Sequence, residues 1–129
     1  MNQGILHDSY ASDIHRMCAE LAILSRTEYG VRVNGRCLSI DVAAWIANRF
    51  VAIEIETTVH HIDKTIAKVC MAGAELWIVV PTRKLRGQMR NKLRRLDLYT
   101  DNGRFKLLLQ SQVEQEFANS LSQSTPANR

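Results

Sequence analysis

The stretch Val51-Ala52-Ile53-Glu54-Ile55-Glu56-Thr57-Thr58 constrains this chain more than any other. It is apolar enough to be a buried strand, yet it carries two carboxylates two positions apart. Side chains alternate along a strand, so Val51, Ile53 and Ile55 share one face and Glu54 and Glu56 share the other. Like charges so placed repel, and burying them without a partner is costly. A metal ion, a Lys or Arg, or water must compensate them.

The chain has 129 residues, enough for one domain that buries its own core without staples. No stretch approaches a membrane span, and the first residues lack the basic-then-apolar layout of a secretion signal. Cys18, Cys37 and Cys70 are odd in number, widely spaced and set in apolar contexts. That pattern fits buried free thiols in a cytoplasmic protein better than a metal or redox motif.

Residues 1–12 are polar and read as a loose N-terminus. From Asp13, the spacing of Ile14, Met17, Cys18, Leu21 and Leu24 predicts an amphipathic helix over 13–27, ended by Tyr29-Gly30. Val31 to Val33, the turn Asn34-Gly35 and Arg36 to Ile46 predict a hairpin. A third strand, 51–57, completes an antiparallel meander. A helix over 60–72, with Gly73 as its stop, then leads into Glu75 to Val80, an apolar run suited to a strand buried on both faces. That order is a crossover, so this strand should pair in parallel with the third. Thr82 caps a basic helix over 83–96. Leu98-Tyr99-Thr100, the turn Asp101-Asn102-Gly103 and Phe105 to Leu109 suggest a further strand or hairpin, and 113–121 a last helix. Residues 122–129 read as a disordered tail. The expectation is a single domain over 13–121: a three-layer α/β/α arrangement with a mixed central sheet.

Asp41 lies in the second strand, near the pair of glutamates. With the connecting turn at Asn48-Arg49, residues whose numbers sum to about 97 face one another. Asp41 is then opposite Glu56, with Glu54 adjacent. Three carboxylates in one patch of sheet make an oxygen-only cluster suited to Mg²⁺ or Mn²⁺. Salt bridges from Arg36, Arg49 or a Lys of the next helix are the alternative compensation.

Asp41, twelve intervening residues and Glu54-Ile55-Glu56, together with this element order, resemble the PD-(D/E)XK nuclease superfamily over roughly residues 13–110. The resemblance implies a restriction-endonuclease-like fold and Mg²⁺-dependent hydrolysis of DNA phosphodiesters. It makes Asp41 and Glu54 direct metal ligands, with the carbonyl of Ile55 completing the sphere. Glu20 on the first helix matches an extra acid that many members place beside the metal. Ile40 stands where the family often has Pro, and Glu56 stands where it usually has Lys. Some members supply that Lys from the next helix, which here offers Lys64 or, better placed, Lys68. Glu56 or Lys68 would then orient the attacking water.

The charge distribution points the same way. Between Arg83 and Lys106 nine basic residues face two acidic ones, so that segment is +7 and the remainder −3. Arg83, Lys84, Arg86, Arg90, Lys92, Arg94 and Arg95 form a candidate phosphate-binding face, with DNA as the partner. Cutting two strands is simplest for a two-fold homodimer, and a larger protein complex is a further candidate partner. A non-catalytic nucleic-acid-binding or assembly subunit on the same fold is the competing expectation. His60-His61, His7 and His15 show no metal-ligand spacing, and Trp45 and Trp77 read as core or dimer-interface residues.

Overall fold

The computed structural model describes residues 3–66, 73–96 and 105–124. Helix α1 (Gln3–Glu20) is followed by β1 (Leu24–Val33), β2 (Arg36–Ile46) and β3 (Arg49–Ile55). A helical segment at 62–66 comes next. The chain then runs through β4 (Glu75–Val80), α2 (Arg83–Arg95), β5 (Phe105–Leu109), a 3₁₀ turn and α3 (Val113–Ser124).

The strands form one sheet in chain order, β1-β2-β3-β4-β5. The first three are antiparallel; β3 and β4 run parallel, as the crossover argument expects, and β5 adds to β4 in parallel as well. Each sheet face carries its own core. On one, Val42, Ala44, Ile53, Trp77 and Val79 pack against Ile14 and Cys18 of α1 and Val113 and Phe117 of α3. On the other, Ala43, Ala52, Ile78 and Val80 meet Ile62, Ile66, Met89 and Leu93. Every residue of β4 is buried, which explains its uninterrupted apolar run. The result is a three-layer α/β/α domain.

At the start of β3, Arg49 forks onto Glu75, with Nη2 2.8 Å from Oε2. Trp77 Nε1 donates to the same oxygen at 2.9 Å. Of the alternative partners named for the β3 acids (Arg36, Arg49 and a Lys of the next helix), Arg49 is thus an ion-pair partner of Glu75.

Several boundaries differ from those the sequence suggests. Residues from Gln3 onward are helical, so the expected loose segment 1–12 is the first half of α1. The helix expected over 13–27 stops at Glu20, and Tyr29-Gly30 lies inside β1 instead of ending a helix. The third strand covers 49–55 instead of 51–57. Helix α3 runs to Ser124, into the expected tail. Leu98 to Gly103, the later part of the 60–72 helix and the last five residues lie outside the described residues. Cys18 is buried, but Cys37 is exposed, contrary to the expectation of buried thiols.

The stop of α1 has a local cause. Ala22 takes a left-handed conformation (φ 58°), its N–H donates to the Ala19 carbonyl at 3.2 Å and the Ile23 N–H to Cys18 at 2.7 Å. These are the paired bonds of a Schellman terminator, with the Ile23–Cys18 contact that accompanies it. Such ends favour Gly, and here Ala occupies the strained position. Ala22→Gly is therefore expected to stabilise the fold by about 1 kcal/mol, or roughly 4 °C in Tm, read by thermal denaturation.

Candidate metal and nucleic-acid site

β2 and β3 pair from Ile46↔Arg49 to Val42↔Ile53. The turn is at Ala47-Asn48, where left-handed Ala47 (φ 56°) reverses the chain, instead of at Asn48-Arg49. The register is thus shifted by two from the expected one, and its continuation puts Asp41 across from Glu54, not Glu56. The ladder ends there, and the two acids take over its hydrogen bonds. The Asp41 N–H donates to Glu54 Oε2 at 2.9 Å, and the Ile55 N–H donates to Asp41 Oδ2 at 2.8 Å. Each carboxylate is pinned by the other's strand.

Side-chain alternation breaks at the same level. Ile40 and Ala43 lie on one face while Val42 and Ala44 lie on the other, so Asp41 marks the point where β2 swaps phase. Glu28, at the matching level of β1, has φ 48° and is skipped in the β1–β2 register. A left-handed Glu costs on the order of 1 kcal/mol, and this strain sits beside the acid pair.

Glu54 is 1% exposed, whereas Asp41 keeps 24% of its side-chain surface. Asp41 Oδ2 also meets His7 Nε2 of α1 at 3.0 Å, while Oδ1 enters no hydrogen bond or ion pair among the described residues. His7 Nδ1 faces Asp8 at 3.6 Å. Burial pulls the His7 pKa down, but the charge and hydrogen bond of Asp41, aided by Asp8, outweigh it and leave the pKa above 6.5. Sequence reasoning missed His7 because its partner is distant in sequence and no spacing links them. Its only local signal was its place on the helix face shared with Tyr10, Ala11 and Ile14.

Other expected site residues fare differently. Glu20 is not beside the acids: it ends α1 about 20 Å along the helix from His7, where Arg16 Nε lies 3.8 Å away and the side chain is 66% exposed. Glu56 accepts a hydrogen bond from Thr65 Oγ1 at 2.6 Å, which ties it to the 62–66 helical segment. Lys64 is exposed on that segment, and Lys68 lies outside the described residues. The expected three-carboxylate cluster does not form: among the described residues no group of three His, Cys, Asp or Glu is arranged to hold a metal. What assembles is the pair Asp41 and Glu54, with His7 on the third side. His60 and His61 are exposed, and the Thr58 hydroxyl accepts the His60 N–H at 3.3 Å.

The basic helix α2 buries Met89 and Leu93 and is capped by Thr82, whose hydroxyl accepts from the Leu85 N–H. Two of its cations have structural tasks: Lys92 Nζ donates to the Val59 carbonyl at 2.6 Å and Arg86 to Gln112 at 2.9 Å. Arg83, Lys84, Arg94 and Arg95 are exposed and Arg90 is half-buried. The Lys92 bond ties α2 to the loop that follows β3 and Glu56. Away from this site, His15 Nδ1 lies 2.6 Å from the Ser25 hydroxyl. Burial pushes the neighbouring Cys18 thiol up to about 11, against the effect of a Ser25 hydrogen bond, so Cys18 is no nucleophile.

Among the described residues no helix is long and apolar enough to cross a membrane. No protein-family profile and no curated protein sequence matches the chain. Among solved structures, the protein of unknown function AF1548 matches with a TM-score of 0.61 at 20% identity, over 92% of this chain and 66% of that one. The likeness is one of fold.

Because the His7 pKa is raised by folding, the His7–Asp41 contact stabilises fully below pH 6.5, and that stability is lost as pH rises through the folded-state value. In chelator, an NMR titration of the His7 imidazole should give a midpoint above 6.5. In Asp41→Asn that midpoint should fall below the wild-type one, because the burial remains and the charge is gone.

Proposed function

We propose that this protein is a metal-dependent DNA endonuclease that hydrolyses phosphodiester bonds. The observation that carries the reading is the reciprocal pinning of Asp41 and Glu54. It sets two carboxylates side by side where β2 leaves β3, with one Asp41 oxygen left for a ligand. Two carboxylates suit Mg²⁺, which keeps several waters and needs few protein ligands; Mn²⁺ fits the same oxygen donors. Asp41 Oδ1 and Glu54 would hold the ion, and the Ile55 carbonyl is the further oxygen the family resemblance implies. Bound there, the ion supplies charge neutralisation at the phosphorane and a lower pKa for a water. His7 and the Ile55 N–H both engage Asp41 Oδ2 and so fix the direction in which Oδ1 points. The exposed cations of α2 hold the phosphate backbone, which contributes affinity but no sequence information. Lys68 remains the proposed cation for orienting the water, and a two-fold dimer the simplest way to address two strands.

One observation favours a second reading, a nucleic-acid-binding or assembly subunit without catalysis. Glu56 occupies the place where a Lys would serve the water, and it is engaged by Thr65. Plasmid cleavage in Mg²⁺ or Mn²⁺ separates the two. Asp41→Asn and Glu54→Gln keep a hydrogen-bond acceptor for the strand N–H groups while removing charge, so the fold should survive. Cleavage should fall by about 10²–10³-fold, the loss of several kcal/mol of transition-state stabilisation, with DNA binding retained. A wild type that binds DNA but cuts no topology tested leaves the binding-subunit reading standing alone.

A further inference from the structure

Beyond Asp41 the β1–β2 pair continues without β3, whose partnership with β2 ends at Val42↔Ile53. The pair runs from Tyr29↔Ile40 to Val33↔Arg36 and closes over Asn34 and Gly35, both left-handed (φ 51° and 79°). That two-residue turn matches strand twist and holds the arm stiff. Its inner face is anchored: Ile40 is fully buried, with Tyr29 and Val31 packed on the second core. Tyr29 also meets the Trp45 and Phe50 rings edge-on at 5.2 and 6.1 Å.

The outer face is different in kind. Gly30, Arg32, Cys37 and Ser39 occupy it, and all four are exposed. Small residues keep the surface low, and a Cβ at Gly30 would meet only the Cys37 sulfur, at 3.8 Å. Arg32 pairs with Cys37 and Arg36 flanks the turn. Neither guanidinium enters an ion pair or side-chain hydrogen bond among the described residues. Within 24–40 there are three arginines and one acid, Glu28. The left-handed Glu28 bends the β1 edge, which works against adding a strand from a second copy.

We propose that this arm is a groove-contacting element for duplex DNA, with Arg32 and Arg36 on phosphates or base edges. The proposal rests on the nucleic-acid reading above and adds to it the surface that orients the duplex. A two-stranded ribbon enters the major groove of B-form DNA, whereas the A-form RNA groove is too deep and narrow. From Asp41 to Arg36 is five residues along β2. That is about 17 Å, or about half a helical turn of B-DNA, so one duplex reaches both the acid pair and the arm tip.

The test measures binding of a fluorescein-labelled DNA duplex by anisotropy across a salt series, in chelator, for wild type and Arg32→Glu/Arg36→Glu. The variant should bind at least about tenfold more weakly, with the log–log salt slope reduced by about two. A parallel measurement needs no variant: saturating duplex should slow maleimide alkylation of Cys37 in wild type, resolved from the other cysteines by peptide mass. Unchanged affinity and slope with unprotected Cys37, while wild type binds DNA, overturns the arm and leaves the nucleic-acid reading intact. A wild type with no salt-dependent binding removes both. Equal protection by duplex RNA overturns the groove argument. Loss of a dimer in the variant at unchanged DNA affinity assigns the face to a second copy and overturns the proposal.

Discussion

Two hydrogen bonds between side chain and backbone, Asp41 N–H to Glu54 and Ile55 N–H to Asp41, hold the centre of this structure together. They stand where β2 and β3 part, and they satisfy backbone donors that would otherwise face a buried gap. An unsatisfied buried N–H costs about 1–3 kcal/mol, so the separation of the strands depends on the acids being there. The acids in turn depend on the strands, because a carboxylate 1% exposed is tolerable only when donors reach it. The proposed chemistry and the fold therefore rest on the same atoms.

The surroundings are divided by sheet face. One face carries α1, whose His7 reaches Asp41 Oδ2; the other carries the segment after β3 and the basic helix α2. Lys92 and Arg86 are used to seat α2 on its neighbours, and the exposed cations lie on the same helix.

Hydrophobic patterning made the sheet legible. β4, buried throughout, and the alternation in β3 pointed to parallel and antiparallel partners that the structure contains. Asp41 and Glu54 were legible as a pair because both fall in strands joined by a short hairpin. Their register was not, because it turns on left-handed Ala47, a residue with no turn signature in its side chain. Helix α1 was misplaced for the same reason: Ala22 gives no sign of being a terminator, and Leu24 happens to continue the apolar spacing. Glu20 was placed near the acids by resemblance, and the true length and direction of α1 put His7 there instead. Contacts of that kind join residues 34 positions apart, His7 and Asp41, and no local pattern encodes them.

The strand order follows the chain order, so each strand's neighbours in space are its neighbours in sequence. The two acids are joined by one of the two tightest of these links, a hairpin closed over two residues. Closing so short a loop removes little chain entropy, and the pairing that unites the acids can form early in folding. Lengthening a connection elsewhere in the chain would leave their spacing unchanged. A site assembled this way can be carried unaltered into a larger protein.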